Sequence, residues 1–408
     1  MRRGDSALAT ALDELLALDR ERRERLVRVE TLKAERNAAS EEVARRKRAK
    51  EPADELMARL KASGDEVKAL DAELRDIEAA LDASVLMLPN FPLPELPDGD
   101  ASANRVVRTW GTAPSFDFAP RPHWELGTAL GILDLPAGAK VTGSGFPVFR
   151  GLGARLVRAL ANFMLDLHTS EHGYVEIAPP YIVNRATMTG TGQLPKFADE
   201  LYTISADELF LIPTAEVPVT NLHRDDILDA ADLPRSYVAF TPCFRREAGA
   251  HGKDTRGLIR VHQFDKVELV RLCRPEDSAA QHELMTRHAE TVLQRLEIPY
   301  RVLELAAGDV GFASARTYDF EVWAAGVGAW LEVSSSSVFT DFQARRANIR
   351  YRPDVQAKPE FVHTLNASGV AFPRTIIALL ENNQAADGSV RIPKALVPYL
   401  GTDRLTVP

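Results

Sequence analysis

The sequence of 408 residues has very little cysteine: Cys243 and Cys273 are far apart, and no CxxC pair occurs. This usage argues against a disulfide framework and against a cysteine-rich zinc site, so no zinc is expected. No hydrophobic run approaches the roughly 20 residues of a membrane span, and no signal peptide precedes the first polar helix. These absences predict a cytoplasmic protein that makes no contact with a membrane.

Two common phosphate-binding signatures are also missing, because the chain contains neither GxGxxG nor GxxxxGK[ST]. A nucleotide site would have to hold phosphates by other means. The formal net charge of −8 argues against indiscriminate coating of nucleic acid, although a local basic patch is compatible with it. The length predicts two or three domains.

The stretch from residue 6 to residue 88 is rich in Ala, Leu, Glu, Lys and Arg and has almost no aromatic side chains. Its second half carries a heptad seam with steps of four and three: Leu56, Leu60, Ser63, Val67, Leu70, Leu74, Ile77 and Leu81. The first half is less regular, since Asp19 and Arg22 interrupt a register kept by Leu8, Leu12, Leu15, Leu26 and Val29. Around Ala49 to Pro52 the sequence AKEP breaks the helix, because proline disfavours helical geometry in the preceding residue. Residues 1–88 are therefore predicted to form an antiparallel helical hairpin about 60 Å long.

Cations concentrate near the predicted end of this arm, at Arg45, Arg46, Lys47, Arg48 and Lys50. One interpretation is a solvated helix end. The other is a contact with a phosphate backbone, for which spaced cations at the end of a long arm are suited.

The rest of the chain predicts an α+β fold. Residues 89–105 form a stiff linker, because prolines recur in LPNFPLPELPD, and residues 106–408 form the main domain. Periodicity in this domain predicts helices at Gly153–Glu171, Ser278–Leu296 and Thr375–Gln384, and strands at Tyr174–Ile177, Phe210–Ile212, Tyr237–Phe244, Gly257–Val270, Tyr300–Leu305, Phe320–Trp323 and Trp330–Ser334. Because strands mostly follow strands, an antiparallel sheet flanked by helices is favoured.

The stretch from Tyr237 to Val270 carries an unusual number of charges for a β-hairpin. Phe264, Lys266 and Glu268 share one parity of the second strand, and apolar residues occupy the other. Either the charged face is a solvated edge, or it binds a ligand.

Taken together, the chain resembles the bacterial seryl-tRNA synthetases, which belong to class II of the aminoacyl-tRNA synthetases. Three class II motifs occur in order: GYVEIAPPYIV with Pro180, the stretch that contains Arg245, and GVAFPRTIIALLEN with Arg374. Further matching segments are TGTGQLPKF, PTAEVPVTN, TRGLIRVHQFDKVE, SSSSVFTDFQARRANIRYR and HTLNASG. The resemblance covers nearly the whole chain and implies the synthetase sheet behind a tRNA-binding arm.

The resemblance implies that ATP and L-serine react to seryl-adenylate, and that the seryl group then passes to the 3′ end of serine tRNA. It implies catalytic roles for Arg245, Arg374 and Glu268. The implied ATP-binding residues are Arg245, Arg246, Glu247, Val261, Phe264, Glu332, Val333, Ser334, Ser335 and Arg374. Of these, Glu332 and Ser335 are implied ligands of Mg²⁺.

The implied serine-binding residues are Thr214, Ala215, Glu216, Arg245, Glu268, Asn366 and Ser368. The arm residues Arg45, Arg46, Lys47 and Arg48 are implied contacts of the long variable arm of serine tRNA, and selenocysteine tRNA is an expected second substrate where it exists. The family also implies a homodimer with Pro180 near its interface. The loop from Ala248 to Arg256 is expected to close over ATP or over the tRNA acceptor end.

Several positions depart from the family's pattern. Relatives usually read SSCSN and NGSG where this chain has Ser334 to Val338 and Asn366 to Gly369, and Ala367 would be strained if its φ were positive. Relatives also carry further residues before the arm's first long helix, whereas Met1 lies near it here. Two alternatives are a paralogue that loads an amino acid onto a carrier protein, which would lack the arm, and a non-catalytic RNA-binding paralogue, which would lack Arg245, Glu247, Glu332 or Arg374.

Overall fold

The computed structural model describes residues 7–249 and 256–408. The chain divides into two compact units, with the boundary between Leu88 and Pro89. No helix in the described ranges has the length and apolar character needed to cross a membrane.

The first unit is an antiparallel pair of helices, α1 (Ala7–Ala49) and α2 (Asp54–Leu86). Three ion pairs connect the two helices: Arg25 with Glu73, Arg28 with Glu66 and Lys33 with Asp71. Between the helices, Val29, Leu32, Val67 and Leu74 form an apolar cluster against which Leu70 packs. The hairpin and the break after Ala49 are therefore confirmed.

The seam on α2 is also confirmed, because its eight predicted positions are all buried or half-buried. The prediction for Leu26 on α1 is wrong, since this side chain is 40% exposed. Arg25 and Arg22 occupy the less exposed positions there. Arg25 reaches Glu73 across the hairpin and Arg22 bonds Asp19, so ionic contacts replace apolar packing in this part of α1.

The second unit combines nine further helices with eighteen strands in the described ranges. The helices are α3 (His123–Ala129), α4 (Leu135–Val141), α5 (Leu152–Ser170), α6 (Arg185–Gly190), α7 (Glu216–Thr220), α8 (Ser278–Arg295), α9 (Phe342–Ala347), α10 (Phe372–Asn382) and α11 (Val397–Leu400). The strands are β1 (Arg105–Trp110), β2 (Leu133–Asp134), β3 (Val148–Phe149), β4 (Val175–Glu176), β5 (Ile182–Asn184), β6 (Thr203–Ile204), β7 (Leu209–Leu211), β8 (Ile227–Asp229), β9 (Arg235–Phe244), β10 (Gln263–Cys273), β11 (Tyr300–Glu304), β12 (Arg316–Ala324), β13 (Ala329–Thr340), β14 (Arg350–Arg352), β15 (Glu360–Phe361), β16 (His363–Ala371), β17 (Val390–Arg391) and β18 (Arg404–Leu405).

An eight-stranded sheet forms the centre of this unit, in the order β1-β11-β12-β13-β16-β10-β9-β4. Neighbouring strands are antiparallel except at the edge, where β4 runs parallel to β9. Helix α5 packs on the sheet because Leu156, Leu160, Phe163 and Leu167, spaced by three or four residues, bury one face of the helix. The predicted α+β class is confirmed.

Strand β10 lies in the interior of the sheet, between β9 and β16. Lys266 and Glu268 are as deeply buried as Val267 and Leu269 on the other parity. The interpretation of this hairpin as a solvated edge is therefore wrong. Its charges belong to a buried site.

The predicted start of this strand at Gly257 is also wrong, because β10 begins at Gln263. Gly257 has a φ of +66°, and Ile259 closes a turn by donating its N–H to the carbonyl of Arg256. The chain therefore folds back before entering the sheet. The alternation of inward and outward side chains expected for a strand therefore applies only from Gln263 onwards.

The proline-rich segment before β1 packs against later parts of the second unit. The N–H of Asn90 donates to Phe312 O, and its side-chain amide donates to Phe339 O at 2.7 Å. Leu93 donates its N–H to Ala315 O, and Leu96 is buried. These contacts fix the segment on the second unit.

Candidate active site

A cavity of about 260 Å³ opens where the end of β9, the turn before β10, strand β13 and the start of α10 meet. The predicted site residues that line it are Arg245, Glu247, Val261, Phe264, Glu332, Val333, Ser334, Ser335, Ser368 and Arg374. Leu258, Ile259, Arg260, Lys266, Ala371 and Pro373 complete the wall. The cavity therefore combines cations, carboxylates and one aromatic ring.

Arg245 and Phe264 form one side of the cavity. Arg245 directly follows β9, and its Nε donates to Pro213 O at 3.3 Å. Its guanidinium lies 5.2 Å from the centre of the Phe264 ring. A planar cation and an aromatic ring are thus placed next to each other, as binding of a phosphate beside a flat base requires.

Arg374, in the first turn of α10, also lines the cavity. Its Nε donates to Ile259 O at 3.1 Å, and its Nη1 donates to Glu332 O at 2.6 Å. The carboxylate of Glu332 lies 3.8 Å from the same Nη1. These contacts fix the guanidinium between the turn before β10 and strand β13.

Glu247 and Arg246, the neighbours of Arg245, point in different directions. Glu247 has a φ of +51° and pairs with Arg260, which also lines the cavity. Arg246 is exposed and donates to Asp199 O at 3.1 Å. The structure therefore brings Glu247 into the cavity and leaves Arg246 outside it.

Oxygen-bearing side chains gather near Glu332. Asp319 on β12 is paired with Ser335 on β13, and burial together with the charge of Glu332 raises the pKa of Asp319 above its usual range. No cluster of three or more His, Cys, Asp or Glu residues suited to a metal occurs in the described ranges. Asp319 was missed in the sequence, because it lies in the ordinary strand pattern of RTYDFEVW.

Next to the cavity lies a buried polar cluster that contains most of the predicted serine-binding residues. Asn366 Nδ2 donates to Glu216 Oε2 at 2.9 Å and to Glu268 Oε1 at 3.1 Å. Lys266 Nζ lies 2.5 Å from Glu268 Oε2 and donates to Thr214 Oγ1 at 2.8 Å. Because Lys266 and Ser368 also line the cavity, the cluster borders it directly.

This cluster contains two acids and one lysine. Ser368 Oγ donates to Glu268 at 3.4 Å, whereas Ala215 packs in an apolar cluster. Burial and the nearby charge of Glu268 raise the pKa of Glu216 to about 7. A ligand that brings a positive charge would relieve the repulsion between the two acids.

Glu216 has a further partner that sequence reasoning missed. Gln343 Nε2 donates to Glu216 Oε1 at 2.6 Å, and Thr364 Oγ1 donates to Gln343 Oε1 at 2.6 Å. Gln343 lies in the FQARR segment of the matched motif. The only sequence signal for this contact was a polar glutamine at a buried position of the short helix α9.

The positions that depart from the family's pattern are accommodated without strain. Ala367 has a negative φ and lies buried within β16. Ser336 contacts Thr286 through hydroxyl groups 3.0 Å apart, and Val338 is buried in the core.

On the arm, Glu42 pairs with two of the predicted tRNA contacts. Arg45 Nη2 lies 2.7 Å and Arg46 Nε 2.9 Å from Glu42 Oε1, and these hydrogen bonds lower the pKa of Glu42 to about 2. Arg48 donates to Ala44 O, and Lys50 follows the end of α1 with a φ of +58°. Lys47 lies in the last turn of the helix.

The predicted closing loop from Ala248 to Arg256 is described in part. Ala248 and Gly249 donate their N–H groups to the carboxylate of Glu200. Residues 250–255 lie outside the described ranges.

The antiparallel sheet and the arginine-lined cavity define a class II aminoacyl-tRNA synthetase core, and residues 200–383 match the family model of the tRNA synthetase class II core domain (G, H, P, S and T). Residues 2–92 match the seryl-tRNA synthetase N-terminal domain. Serine–tRNA ligase of Gemmatimonas aurantiaca is 60% identical, over 98% of this chain and 94% of its own. The chain belongs to the seryl-tRNA synthetase family.

Two further relatives extend the comparison. Serine–tRNA ligase of Listeria monocytogenes is 56% identical, over 94% of this chain and 90% of its own. The crystal structure of seryl-tRNA synthetase from Pyrococcus horikoshii complexed with ATP superposes with a TM-score of 0.95 at 39% identity, covering 100% of this chain and 96% of that one.

Proposed function

We propose that the protein is a serine–tRNA ligase, which activates L-serine with ATP and transfers the seryl group to serine tRNA. The observation that carries the proposal is the junction of two sites: a buried cluster with excess negative charge borders a cavity lined by Arg245, Phe264 and Arg374. Relatives at 60% and 56% identity are named serine–tRNA ligases, which supports the same assignment.

In the nucleotide half, Arg245 would contact the α-phosphate of ATP and Arg374 the γ-phosphate, with guanidinium planes suited to paired oxygen contacts. Phe264 would stack on the adenine, between the apolar walls of Val261 and Val333. Glu247 would accept a hydrogen bond from the adenine amino group. The related structure from Pyrococcus horikoshii holds ATP, which supports a nucleotide in this cavity.

In the first step, the serine carboxylate attacks the α-phosphorus, the bond to the β-phosphate oxygen breaks, and pyrophosphate leaves with that electron pair. In the second step, a hydroxyl of the tRNA 3′-terminal ribose attacks the seryl carbonyl carbon and AMP leaves. Neither step needs a protein nucleophile. The side chains therefore act by orienting the reactants and by stabilising phosphate charge.

In the amino-acid half, Glu216 and Glu268 would pair with the serine ammonium group. The hydroxyl would be met by polar atoms of Thr214, Asn366 and Ser368. A pocket that hydrogen-bonds a substrate hydroxyl can reject the analogue without it by about 10⁴-fold, because its own polar groups are left unpaired. Alanine would be excluded in this way.

A magnesium ion fits the oxygen donors around Glu332. Its carboxylate and the hydroxyl of Ser335 are hard ligands of the kind Mg²⁺ prefers, and Asp319 adds a second carboxyl group nearby. When bound, the ion would neutralise phosphate charge. The backbone carbonyl of Glu332 also accepts from Arg374, so this residue would contact both the ion and the arginine.

The arm supports a role in binding tRNA. Arg45, Arg46, Lys47 and Arg48 are proposed to contact the phosphate backbone of the long variable arm of serine tRNA. Selenocysteine tRNA is proposed as a second substrate where it exists. Because tRNA charging takes place where translation does, we propose that the protein acts in the cytoplasm.

A homodimer is proposed through the edge of the central sheet. Strand β4 lies at this edge, and Val175 on it is 58% exposed. Tyr181 and Ile182 are also exposed, on the far side of Pro180. A second copy would cover this apolar edge. Sedimentation of the wild type as a dimer, and of the Val175→Asp variant as a monomer, would support the interface, whereas a monomeric wild type would rule it out.

The two alternatives are less well supported. A carrier-protein paralogue would lack the arm, and this chain matches the seryl-tRNA synthetase N-terminal domain. A non-catalytic paralogue would lack the nucleotide residues, yet Arg245, Glu247, Glu332 and Arg374 all line the cavity.

The experiment is exchange of labelled pyrophosphate into ATP with each of the twenty amino acids in turn. We expect exchange with serine and at least about 10³-fold less with alanine. Arg245→Ala should abolish exchange, while Arg235→Ala, at the other end of β9 and paired with Asp232, should retain it. Preference for another amino acid, or no exchange by folded protein, would overturn the proposal.

A further inference from the structure

His123 and Glu381 form a fully buried pair behind the cavity wall. His123 is the first residue of α3, and Glu381 lies near the end of α10. The Nδ1 atom of His123 and the Oε1 atom of Glu381 are 2.7 Å apart, and both side chains are inaccessible to solvent. Neither residue lines the cavity, so neither would contact a nucleotide bound there.

Glu381 is held by four N–H groups. Its Oε1 accepts from the backbone N–H and from the ring of His123, and its Oε2 accepts from the N–H groups of Gly326 and Val327. Four donors on two oxygens match a carboxylate, which accepts hydrogen bonds and donates none. The carboxylate therefore has one orientation, and it fixes the orientation of the imidazole.

The tautomer of His123 follows from its second contact. The backbone N–H of Leu258 donates to Nε2 at 2.9 Å. Because Nε2 accepts, the ring proton must be on Nδ1, where it points at Glu381. The imidazole thus transmits the position of Glu381 to a backbone amide of the turn that precedes β10.

That turn is a wall of the cavity. Leu258, Ile259, Arg260 and Val261 all line it. Ile259 O accepts from Arg374, and Arg260 pairs with Glu247. The position of this turn therefore affects the orientation of Arg374 and Glu247, two of the predicted nucleotide-binding residues.

Close packing shows how tightly the turn is fitted to His123. A Cβ added to Gly257 would come within 2.3 Å of His123 Nε2. The guanidinium of Arg256 lies 4.5 Å from the ring centre of Trp124, the residue after His123. Helix α10 also reaches the turn twice, directly from Arg374 and through the Glu381–His123 pair, seven residues apart on one helix face.

We propose that His123 and Glu381 are positioning residues for nucleotide binding, which act by fixing the turn from Leu258 to Val261. The inference rests on the proposed role of the cavity in binding ATP. It assigns neither residue a chemical step. It predicts that disturbing the pair changes the use of ATP more than the use of serine, because the turn contacts the predicted nucleotide-binding residues Arg374 and Glu247.

The test uses two substitutions of His123, each of which keeps a polar group at only one of the two ring nitrogen positions. His123→Asn keeps an amide near the Nδ1 position, facing Glu381, and leaves the Leu258 N–H without an acceptor. His123→Gln places an amide oxygen near the Nε2 position, where it can accept from Leu258. Glu125→Ala, an exposed position on the same helix, is the matched control.

Pyrophosphate exchange and hydrogen–deuterium exchange are measured on the full chain. We expect His123→Asn to raise KM for ATP about tenfold, equivalent to about 1.4 kcal/mol, and to change KM for serine less than about threefold. Amides of residues 256–262 should exchange faster in this variant without any ligand. His123→Gln should restore most of both properties, and Glu125→Ala should match the wild type.

An unchanged KM for ATP in His123→Asn, or equal changes in both KM values, would overturn the inference. The inference would also be overturned if His123→Asn lowered thermal stability but left hydrogen–deuterium exchange of residues 256–262 unchanged. If His123→Asn does not fold, Glu381→Asp is used in its place, because the shorter side chain moves the carboxylate away from His123. The comparison of the two KM values and the deuterium exchange of residues 256–262 then test the inference in the same way. A wild type without any serine-dependent exchange would instead refute the proposed function, while the deuterium measurement would still test the pair.

Discussion

At the scale of single residues, the charge balance of the buried cluster matters most. Glu216 and Glu268 face each other across Asn366, and Lys266 contacts Glu268. Two acids and one lysine leave room for one more cation. This is the charge that an amino-acid ammonium group supplies.

The first prediction concerns Glu268→Gln. The amide keeps the volume of the side chain but removes the charge that would face the serine ammonium. A hydrogen bond to a charged group contributes about 1.5–3 kcal/mol, so KM for serine should rise roughly 10- to 150-fold, with KM for ATP within about threefold. Steady-state pyrophosphate exchange measures both, and an equal rise in the two values would show that Glu268 supports the whole site.

The second prediction is a pH dependence set by Glu216, whose pKa is raised to about 7 by burial and by the charge of Glu268. Below that pH the free protein holds Glu216 neutral, and above it the carboxylate can pair with the substrate. We therefore expect kcat/KM for serine to rise with pH and level off above about 7. In Glu216→Gln the inflection should disappear, and its persistence would assign the titration to another group.

The same pKa shift has a consequence for stability. An unfolded chain releases this proton near pH 4.5, whereas the folded protein keeps it until about pH 7. Between these values the folded state binds more protons, so this group's contribution to the free energy of unfolding declines as pH rises.

At the scale of elements, apolar periodicity predicted the long helices well. The expected helix Gly153–Glu171 is observed at Leu152–Ser170, because its apolar side chains recur at helical spacing. Strand β16 was not predicted as a strand. Its central residues Asn366 and Ser368 are polar and are buried because they bond Glu268, which an apolar pattern cannot indicate.

In the candidate site too, some residues could be predicted from the sequence and others could not. Arg245, Phe264 and Arg374 could be assigned because motifs carry them, and the structure places all three in one cavity. The contacts of Gln343 with Glu216 and of His123 with Glu381 join residues more than one hundred positions apart. Local sequence contains no signal for such pairs, because they depend on how distant elements pack.

The third prediction concerns three histidines between α5 and α8. His168 Nδ1 lies 2.9 Å from His172 Nδ1, and the ring of His172 stacks on that of His288 at 3.9 Å. Burial lowers the pKa of all three, and Arg271 and Arg295 nearby lower that of His172 further while Glu171 opposes them. His288 also contacts the hydroxyl of Tyr174.

Because the pKa of each of these histidines is lower in the folded protein than in the unfolded chain, the unfolded chain takes up protons first as pH falls below about 6.5. The free energy of unfolding should therefore decline on acidification, by at most about 1.4 kcal/mol per pH unit for each fully neutral ring. His288→Gln should weaken this decline in urea titrations at pH 7.5, 6 and 5 at one fixed protein concentration. Parallel curves for variant and wild type would contradict the prediction.

At the scale of the whole molecule, the chain divides between Leu88 and Pro89, and the proline-rich segment stays with the second unit through Asn90, Leu93 and Leu96. The cavity and the serine cluster are built entirely from residues of that unit. Amino-acid activation should therefore be separable from recognition of tRNA.

The fourth prediction is the behaviour of a chain that begins at Pro89. Serine-dependent pyrophosphate exchange should stay within about threefold of the full chain, because no residue of the cavity is removed. Charging of serine tRNA should fall at least about 10³-fold, since the proposed phosphate contacts are lost. Thermal unfolding verifies that the truncated protein is folded, and loss of both activities in folded protein would contradict a separable arm.

The pairing of Arg45 and Arg46 with Glu42 alters how the arm would respond to salt. Binding to a nucleic acid releases roughly one condensed counterion for each phosphate that a free cation neutralises. Arginines that already share a carboxylate must exchange that partner for phosphate, so Glu42 acts as an internal competitor for the RNA. A count of cations near the end of α1 therefore overestimates the number of ions released, and the salt dependence of tRNA binding should be shallower than the sequence implies.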